Sequence, residues 1–486
     1  MDKVQTYNTL SMLSLKCAAN VFDISTGLVH VSIRDQIVRA NLLVRDIVAL
    51  KQKNPEILIV GAGVAGIAAA IAAANAGVIV TIIETNDEPF SLQAVSKHRF
   101  IGPYMYEWPA NFHTPQNYPP SGWPRWTSLS ARSMNWKSDK PINAVDFANN
   151  QRLWLNDTLV KWNPKTKAPQ LITSVNSGLA KKLVKSFVIQ KSKPFVHRVS
   201  GTNWLSKRLV NFSVDPKFII LAASMGNEKF THGDYEGVSF WKPDRLSLKT
   251  QQSIAILGGG DGALQDFLRA ATTFDHPLQF IDFLNADHRV LPLINKEHDY
   301  LLSLEQNSRL NATWTASNEV FEELDGHCRN VAIELAKNQF VRRRVSQGMR
   351  GEINAHTSFI DSVHLFVREN FFGKAYLLNR FLVHLINESI AHSPDAFEGK
   401  RVAIVHFGHT IDSNKSLMKN KLGFHCIDVL DNVNGTSIQK SFTDLIVRFG
   451  VDSDHAPASK LVGLSKKYKA TRVNMARIPM PFYFDN

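Results

Sequence analysis

Three cysteines stand in 486 residues, at positions 17, 328 and 426. They form no CxxC pair and no metal-ligand spacing, which argues against a disulfide framework, a thiol-rich metal site and a dithiol redox centre. Long apolar runs are also scarce. Outside residues 57–84 no segment is long and apolar enough to span a bilayer. The opening residues, MDKVQTYNTLSMLSLKCAAN, hold a short apolar stretch broken by Lys16 and lack a basic region leading into a long apolar one. The expectation is a chain without a signal peptide, with buried thiols, in a reducing cytoplasmic setting. Acid is in deficit: 56 Lys and Arg face 43 Asp and Glu, a formal charge of +13. Much of the excess lies in three runs: Lys181, Lys182, Lys185, Lys191 and Lys193; Arg342, Arg343 and Arg344; and Lys466, Lys467, Lys469 and Arg472. Solvated helix faces account for them, and so does attraction of polyanions such as pyridine nucleotides, nucleic acid or an acidic membrane surface. No nucleic-acid-binding module is recognisable.

What is present is an ordinary globular composition, 44% apolar and 20% charged, long enough for two or three domains. The most informative stretch is residues 57–84, ILIVGAGVAGIAAAIAAANAGVIVTIIE. An apolar strand runs into Gly61-Ala62-Gly63-Val64-Ala65-Gly66, an Ala-rich helix follows, and a second apolar strand ends in Glu84. This is the order of a dinucleotide-binding βαβ unit. Gly61 permits the tight turn, Gly63 lets a pyrophosphate approach the backbone, and Gly66 lets the helix pack closely on the strand. The helix N-terminus supplies N–H groups and a positive dipole end. Glu84, 18 residues past Gly66, is placed to accept hydrogen bonds from ribose hydroxyls. Ala70 and Ala74 continue the small-residue stripe, Gly77 ends the helix, and Val80 points into the core. A transmembrane helix is the competing reading of so apolar a run, but the glycines and Asn75 break it into strand, helix and strand.

Upstream, residues 26–53 carry Ile33, Ile37, Ala40, Leu43, Val44 and Ile47 at helical spacing, which predicts an amphipathic helix packed on the first domain or a partner subunit. Residues 88–165 differ in kind, with Trp108, Trp123, Trp126, Trp136, Trp154 and Trp162, many prolines and little periodicity. They read either as an aromatic lid over a planar ligand or as the core of a loop-rich subdomain. A helix follows at 180–188. Residues 217–226 read as a buried strand ending in Ala223-Ser-Met-Gly226, small residues that allow backbone to approach a cofactor.

A second fingerprint lies at 253–263, SIAILGGGDGA: a strand running into Gly258-x-Gly260-Asp261-x-Ala263, then a helix, then LQFIDFL read as a strand. Asp282, 19 residues past Ala263, is the candidate ribose carboxylate, and Arg289 could meet a 2′-phosphate. Two fingerprints about 200 residues apart, with LAASMG before the second, resemble the flavoproteins with two dinucleotide-binding domains, which include flavin-containing monooxygenases and pyridine nucleotide–disulfide reductases. The resemblance implies FAD on the first fingerprint and NAD(P)H on the second, in an inserted domain, after which the chain returns to the flavin domain. Residues 400–412 could form that return, with Gly408 and Asp412 as a loose counterpart of the Gly-Asp element at the flavin. The expected α/β architecture is two Rossmann-like domains: a helical segment over 1–54, an FAD domain over 55–245 and 390–486 carrying the Trp-rich insertion, and an NAD(P) domain over 246–389.

The sequence departs from the family by lacking CxxC and the FxGxxxH-type monooxygenase signature; Phe100-Ile-Gly102 is not followed by it. No Ser-His-Asp, HExxH or zinc spacing appears. His98, Arg99, Tyr104 and Tyr106 follow the first fingerprint closely enough to reach a ligand, with Arg99 a candidate for a cofactor phosphate or substrate carboxylate. His406 and His409 flank Gly408. Three functions fit: an FAD-dependent oxidoreductase consuming NAD(P)H, most simply a monooxygenase of a small organic substrate; an amine or amino-acid oxidase in which the second fingerprint is structural; and a non-catalytic nucleotide-binding scaffold. A small-molecule substrate is the expected partner, with a second copy of the chain as a further candidate.

Overall fold

The computed structural model describes residues 12, 15–24, 33–50, 55–101, 108, 134, 141–162, 166–189, 197–224, 228–232, 235–246, 250, 252–312, 318–353, 360–411 and 423–450. They form two α/β units in succession, each a largely parallel sheet with a glycine elbow leaving one strand.

In the first unit, strands β1 (Lys16–Ala18) and β2 (Val21–Asp23) precede helix α1 (Ile33–Ala49). Strand β3 (Glu56–Val60), helix α2 (Val64–Asn75) and strand β4 (Ile79–Ile83) make the βαβ unit read from the sequence. A short pair, β5 (Phe100–Ile101) and β6 (Ile142–Asn143), leads into α3 (Ala144–Val160). Then come β7 (Gln170–Thr173), α4 (Ser177–Ile189), the antiparallel β8 (His197–Asn203) and β9 (Arg208–Val214), and β10 (Phe218–Leu221). The sheet order is β1-β2-β10-β3-β4-β7-β8-β9. Its inner strands are apolar on both faces because helices cover both. On one face lie α1, α2 and α3, and the amphipathic stripe of α1 (Ile37, Ala40, Leu43, Val44, Ile47) is buried there. Each such Ile or Leu contributes about 2 kcal/mol by leaving water. On the other face α4 inserts Ala180, Leu183 and Val184. The leading segment is therefore more than helical: β2 pairs in parallel with β10 and extends the sheet.

Strands β11 (Thr231–His232) and β12 (Tyr235–Glu236) form a small hairpin between the units. The second unit opens with β13 (Ser253–Leu257) and α5 (Asp261–Ala271). A helical layer follows: α6 (Pro277–Asn285), α7 (Leu291–Asn295), α8 (His298–Ala312), α9 (Glu322–Ala336) and α10 (Gln339–Gly348). The chain then re-enters the sheet with β14 (Ser362–Val367), α11 (Leu377–His392) and β15 (Val402–Phe407). An antiparallel meander of β16 (His409–Ile411), β17 (His425–Asp431) and β18 (Ser437–Phe442) precedes β19 (Asp444–Val447). The parallel order is β15-β14-β13-β19.

Two expectations are corrected here. LQFIDFL is helix, because His276 caps it, Pro277 stands in its first turn and Gln279 completes a capping box. Nor do residues 402–407 and 444–447 return to the first sheet. β15 pairs with β14 and β19 with β13, so they complete the second unit as β7 and β10 complete the first. Most of the Trp-rich segment lies outside the described residues, Trp123, Trp126 and Trp136 among them. Trp108 is buried in the core of the second unit, stacked on Phe381 at 4.8 Å, whereas Trp154 and Trp162 pack against the core of the first.

Candidate functional site: two glycine elbows

The first elbow is built by close packing that only glycine permits. Gly61 has φ +109°, and a side chain there would strike the carbonyl of Ala222, which follows β10. Gly66 presses on the carbonyl of Gly61, so the helix sits directly on the turn. Gly63, at the helix N-cap, has extended backbone and nothing within 4 Å of where a side chain would project. Open space, the N–H groups of the first turn and the positive helix end coincide at that point. Glu84 leaves β4 beside the turn. Its Oε2 accepts the Ala62 N–H at 2.7 Å, and its Oε1 accepts the Asn86 N–H at 2.9 Å and the Asn86 side chain at 2.8 Å. A carboxylate has about four lone-pair sites, so Oε2 keeps acceptor capacity for a ribose hydroxyl. Its charge would repel a 2′-phosphate. Val64 and Ala62 are buried and Ala65 is half-buried. An adenine dinucleotide with a free 2′-hydroxyl fits these residues.

The second elbow repeats the turn. Gly258 has φ +135° and abuts the carbonyl of Arg448, which follows β19. Gly260 caps α5 with extended backbone, and Ala263 is fully buried in the third small position. Two features differ. The carbonyl of Lys374 lies 3.6 Å from where a Gly260 side chain would be. Asp261 occupies the first helical position, its Oδ1 accepting the Tyr376 N–H at 3.1 Å and the Asn379 side chain at 2.6 Å, its Oδ2 the Gln265 side chain at 2.8 Å. Burial pushes the Asp261 carboxyl up to about 6 against those hydrogen bonds. Arg380 holds the covering loop in place by donating to the carbonyls of Phe372 and Gly373 and to Asp325.

The other residues named from sequence are scattered. Arg99 turns away from the first elbow and lies buried, donating to Asp266 at 2.6 Å, to Asp244 at 3.4 Å and to the Phe240 carbonyl at 2.6 Å. Burial alone would raise the Asp266 carboxyl; Arg99, Arg448 and Arg269 outweigh it and hold it well below the usual range. Arg99 thus ties the first unit to α5 of the second and has no guanidinium donor aimed at a coenzyme. Asp282 sits in α6, with no strand end to carry it toward a ribose. Arg289 pairs with Asp287 at 2.7 Å. Ala223 lies beside the first elbow, after β10, its Cα near where a Gly61 side chain would stand; Gly226, Asp412, Tyr104 and Tyr106 fall outside the described residues. Gly408, at φ +69°, ends β15 in the second sheet, away from the first, where its N–H meets the Glu369 carbonyl at 3.1 Å. His98 is half-buried. His406 stacks on Phe366 and His364, and its Nε2 lies 2.9 Å from Nδ1 of His364. Burial, with Lys440 nearby, lowers His364 to about 4 and His406 to about 3. His409 bonds the Phe407 carbonyl at 2.6 Å.

Sequence reasoning missed Arg368 and Glu369. They follow β14, the strand that lies beside β13 as β4 lies beside β3, and they pair with each other at 2.7 Å. The signal was the apolar run SVHLFV followed by charge, about a hundred residues beyond the elbow.

Solved structures similar to this chain include thioredoxin reductase of Lactococcus lactis, at 12% identity over 82% of this chain and 78% of that one, with a TM-score of 0.35. Bacillithiol disulfide reductase of Bacillus cereus is 13% identical over 84% and 81%, with a TM-score of 0.37. The FAD-bound cadaverine monooxygenase of the desferrioxamine pathway of Erwinia amylovora is 11% identical over 82% and 78%, with a TM-score of 0.37. No curated protein sequence matches. Residues 59–123, which begin within β3 and contain the first elbow, match the NAD(P)-binding Rossmann-like domain.

Proposed function

We propose that the protein is an FAD-dependent oxidoreductase that draws hydride from NAD(P)H, of the monooxygenase type and acting on a small organic substrate. The observation that carries it is the first elbow: open space over Gly63, a helix N-terminus and the Glu84 carboxylate converge where an adenine dinucleotide would lie. Gly63 to Gly66 would hold the pyrophosphate, and Glu84 the ribose. Flavin, when bound, supplies hydride acceptance from nicotinamide and onward delivery of electrons. The protein's own part is to position, to exclude water and to fix the two units relative to each other through Arg99. The cysteines support an acceptor other than a disulfide. Cys17 and Cys328 are buried, burial pushes the Cys328 thiol up, and the three cysteines form no CxxC pair.

A second reading is favoured by Asp261 and the Lys374 carbonyl. Both place negative potential at the N-terminus of α5, where a coenzyme phosphate would sit. In this reading the flavin is reduced by substrate, as in an amine or amino-acid oxidase, and the second elbow is structural. Anaerobic absorbance titration separates the two. Bleaching of a yellow protein by NADH or NADPH supports the first reading. Bleaching by an amine or amino acid alone supports the second. A colourless protein that takes up no FAD defeats both.

A further inference from the structure

Between residues 158 and 214 the chain has no Asp or Glu, yet it has nine lysines and two arginines. Almost the whole excess charge of +13 therefore comes from one stretch. Six of these residues stand on α4, β8, the β8–β9 turn and β9, at one edge of the first sheet. Helix α4 buries Ala180, Leu183 and Val184 against the sheet and leaves Lys181, Lys182 and Lys185 exposed. Strand β9 is the outermost strand of that sheet, and Arg198, Lys207 and Arg208 on β8, the turn and β9 are exposed as well. Lys207 is paired with Glu88 at 3.0 Å. Among the described residues, Lys181, Lys182, Lys185, Arg198 and Arg208 face no carboxylate at ion-pair distance. Exposed aliphatic side chains lie on the same elements: Ile189, at the end of α4 beside the lysines, is 77% exposed, Leu205 in the β8–β9 turn is 42% exposed, and Leu209 on β9, 77% exposed, points with Arg198 to the other face of the edge.

We propose that this α4–β8–β9 edge docks on an anionic phospholipid surface. Peripheral attachment needs two signals, a cluster of positive charge and an apolar insertion, and this edge presents both. A nucleic acid would be read by arginine forks and by exposed aromatic rings on which bases stack. Here lysine outnumbers arginine, Trp204 is buried, and Phe187 and Phe212 pack toward the core. The elbow helix α2 lies on the opposite face of the sheet from α4, so the α4 lysines and the coenzyme elbow are on different faces.

The test is flotation of the full chain with vesicles of phosphatidylcholine alone and of phosphatidylcholine with about 30% phosphatidylserine, at ~0.05 M and ~0.5 M salt. At low salt, binding to the serine-lipid vesicles at least about tenfold above the neutral ones, released at high salt, is expected. Lys181→Gln/Lys182→Gln/Lys185→Gln should weaken binding roughly a hundredfold, about fivefold for each lysine. Ile189→Ser should weaken it severalfold, while Lys296→Glu and Arg343→Glu on the second unit leave it unchanged; thermal melting confirms that each variant is folded. Equal binding to both vesicles, no flotation at low salt, a folded triple variant that binds like the parent, or tighter binding to single-stranded RNA or duplex DNA than to the serine-lipid vesicles would each overturn the proposal.

Discussion

In both units the strand bearing the elbow is flanked alike. The residue after the strand on one side (Ala222, Arg448) donates its N–H to the last carbonyl of the elbow strand and sets its own carbonyl against the first glycine. On the other side the neighbouring strand accepts that glycine's N–H, from Gly61 to Ile83 and from Gly258 to Phe366. The turn is thus a backbone device that two unrelated stretches of side chain have satisfied with the same spacing. The elbows part company two residues later. Above Gly63 there is room; above Gly260 there is a carbonyl. The first helical position is a buried Val64 in one and a half-buried Asp261 in the other. The shared glycines explain the turn, and the differing surroundings decide what the turn can hold.

The comparison can be broken most severely at the joint. Arg99→Met leaves Asp266 and Asp244 short of a buried partner and should lower unfolding stability by about 3–5 kcal/mol, read from urea midpoints. Gly66→Ala comes next. Its methyl meets backbone, so a loss of about 3 kcal/mol is expected, whereas Ala263→Gly should cost only about 1 kcal/mol because the second elbow already accommodates a side chain. Asp261 offers a pH test. Its folded pKa of about 6 stands above the ordinary Asp value of 3.8, so its contribution is fully present only below pH 3.8, is still largely present at pH 4, and is lost as pH rises through 6. Asp261→Asn should therefore gain roughly 2–3 kcal/mol on the parent between pH 4 and pH 8 in a series of denaturant titrations. Gly63→Val should leave the fold intact and reduce flavin content at least about tenfold, because a branched side chain fills the open space over the first helix N-terminus where the pyrophosphate would lie. Gly260→Val sharpens the contrast: it should weaken NAD(P)H reduction if the second elbow holds coenzyme and change nothing if it does not. The smallest effect is expected from Glu84→Gln, a fewfold weaker hold on the dinucleotide with less discrimination against a 2′-phosphate, measurable by equilibrium dialysis.

How far the sequence could be read follows the range of the interactions involved. The first elbow was legible because every determinant, from Gly61 to Glu84, falls within one local βαβ unit, and the structure keeps each in place. The amphipathic helix before it was legible for the same reason. The second elbow was legible only as far as Ala263. Beyond it, LQFIDFL is apolar enough for either state, and His276, Pro277 and Gln279 decide for helix by capping its N-terminus, a signal present in the sequence but outweighed by the analogy with the first unit. The partners of β13 were not legible, since β14 and β19 are brought to it across about a hundred and two hundred residues by parallel pairing, which leaves no local turn to recognise. Arg99 misled because a charged residue near a fingerprint reads as a ligand contact, while its partners lie far along the chain, Asp244 in the segment between the units and Asp266 in the second.

The stacking of Trp108 on Phe381 has a consequence for how the chain is made. The indole leaves the ribosome long before the helix that will receive it, and at ordinary elongation rates it waits some tens of seconds. During that interval the indole lacks the helix that buries it in the finished chain. A gene split between the two units would lengthen that wait until the halves met.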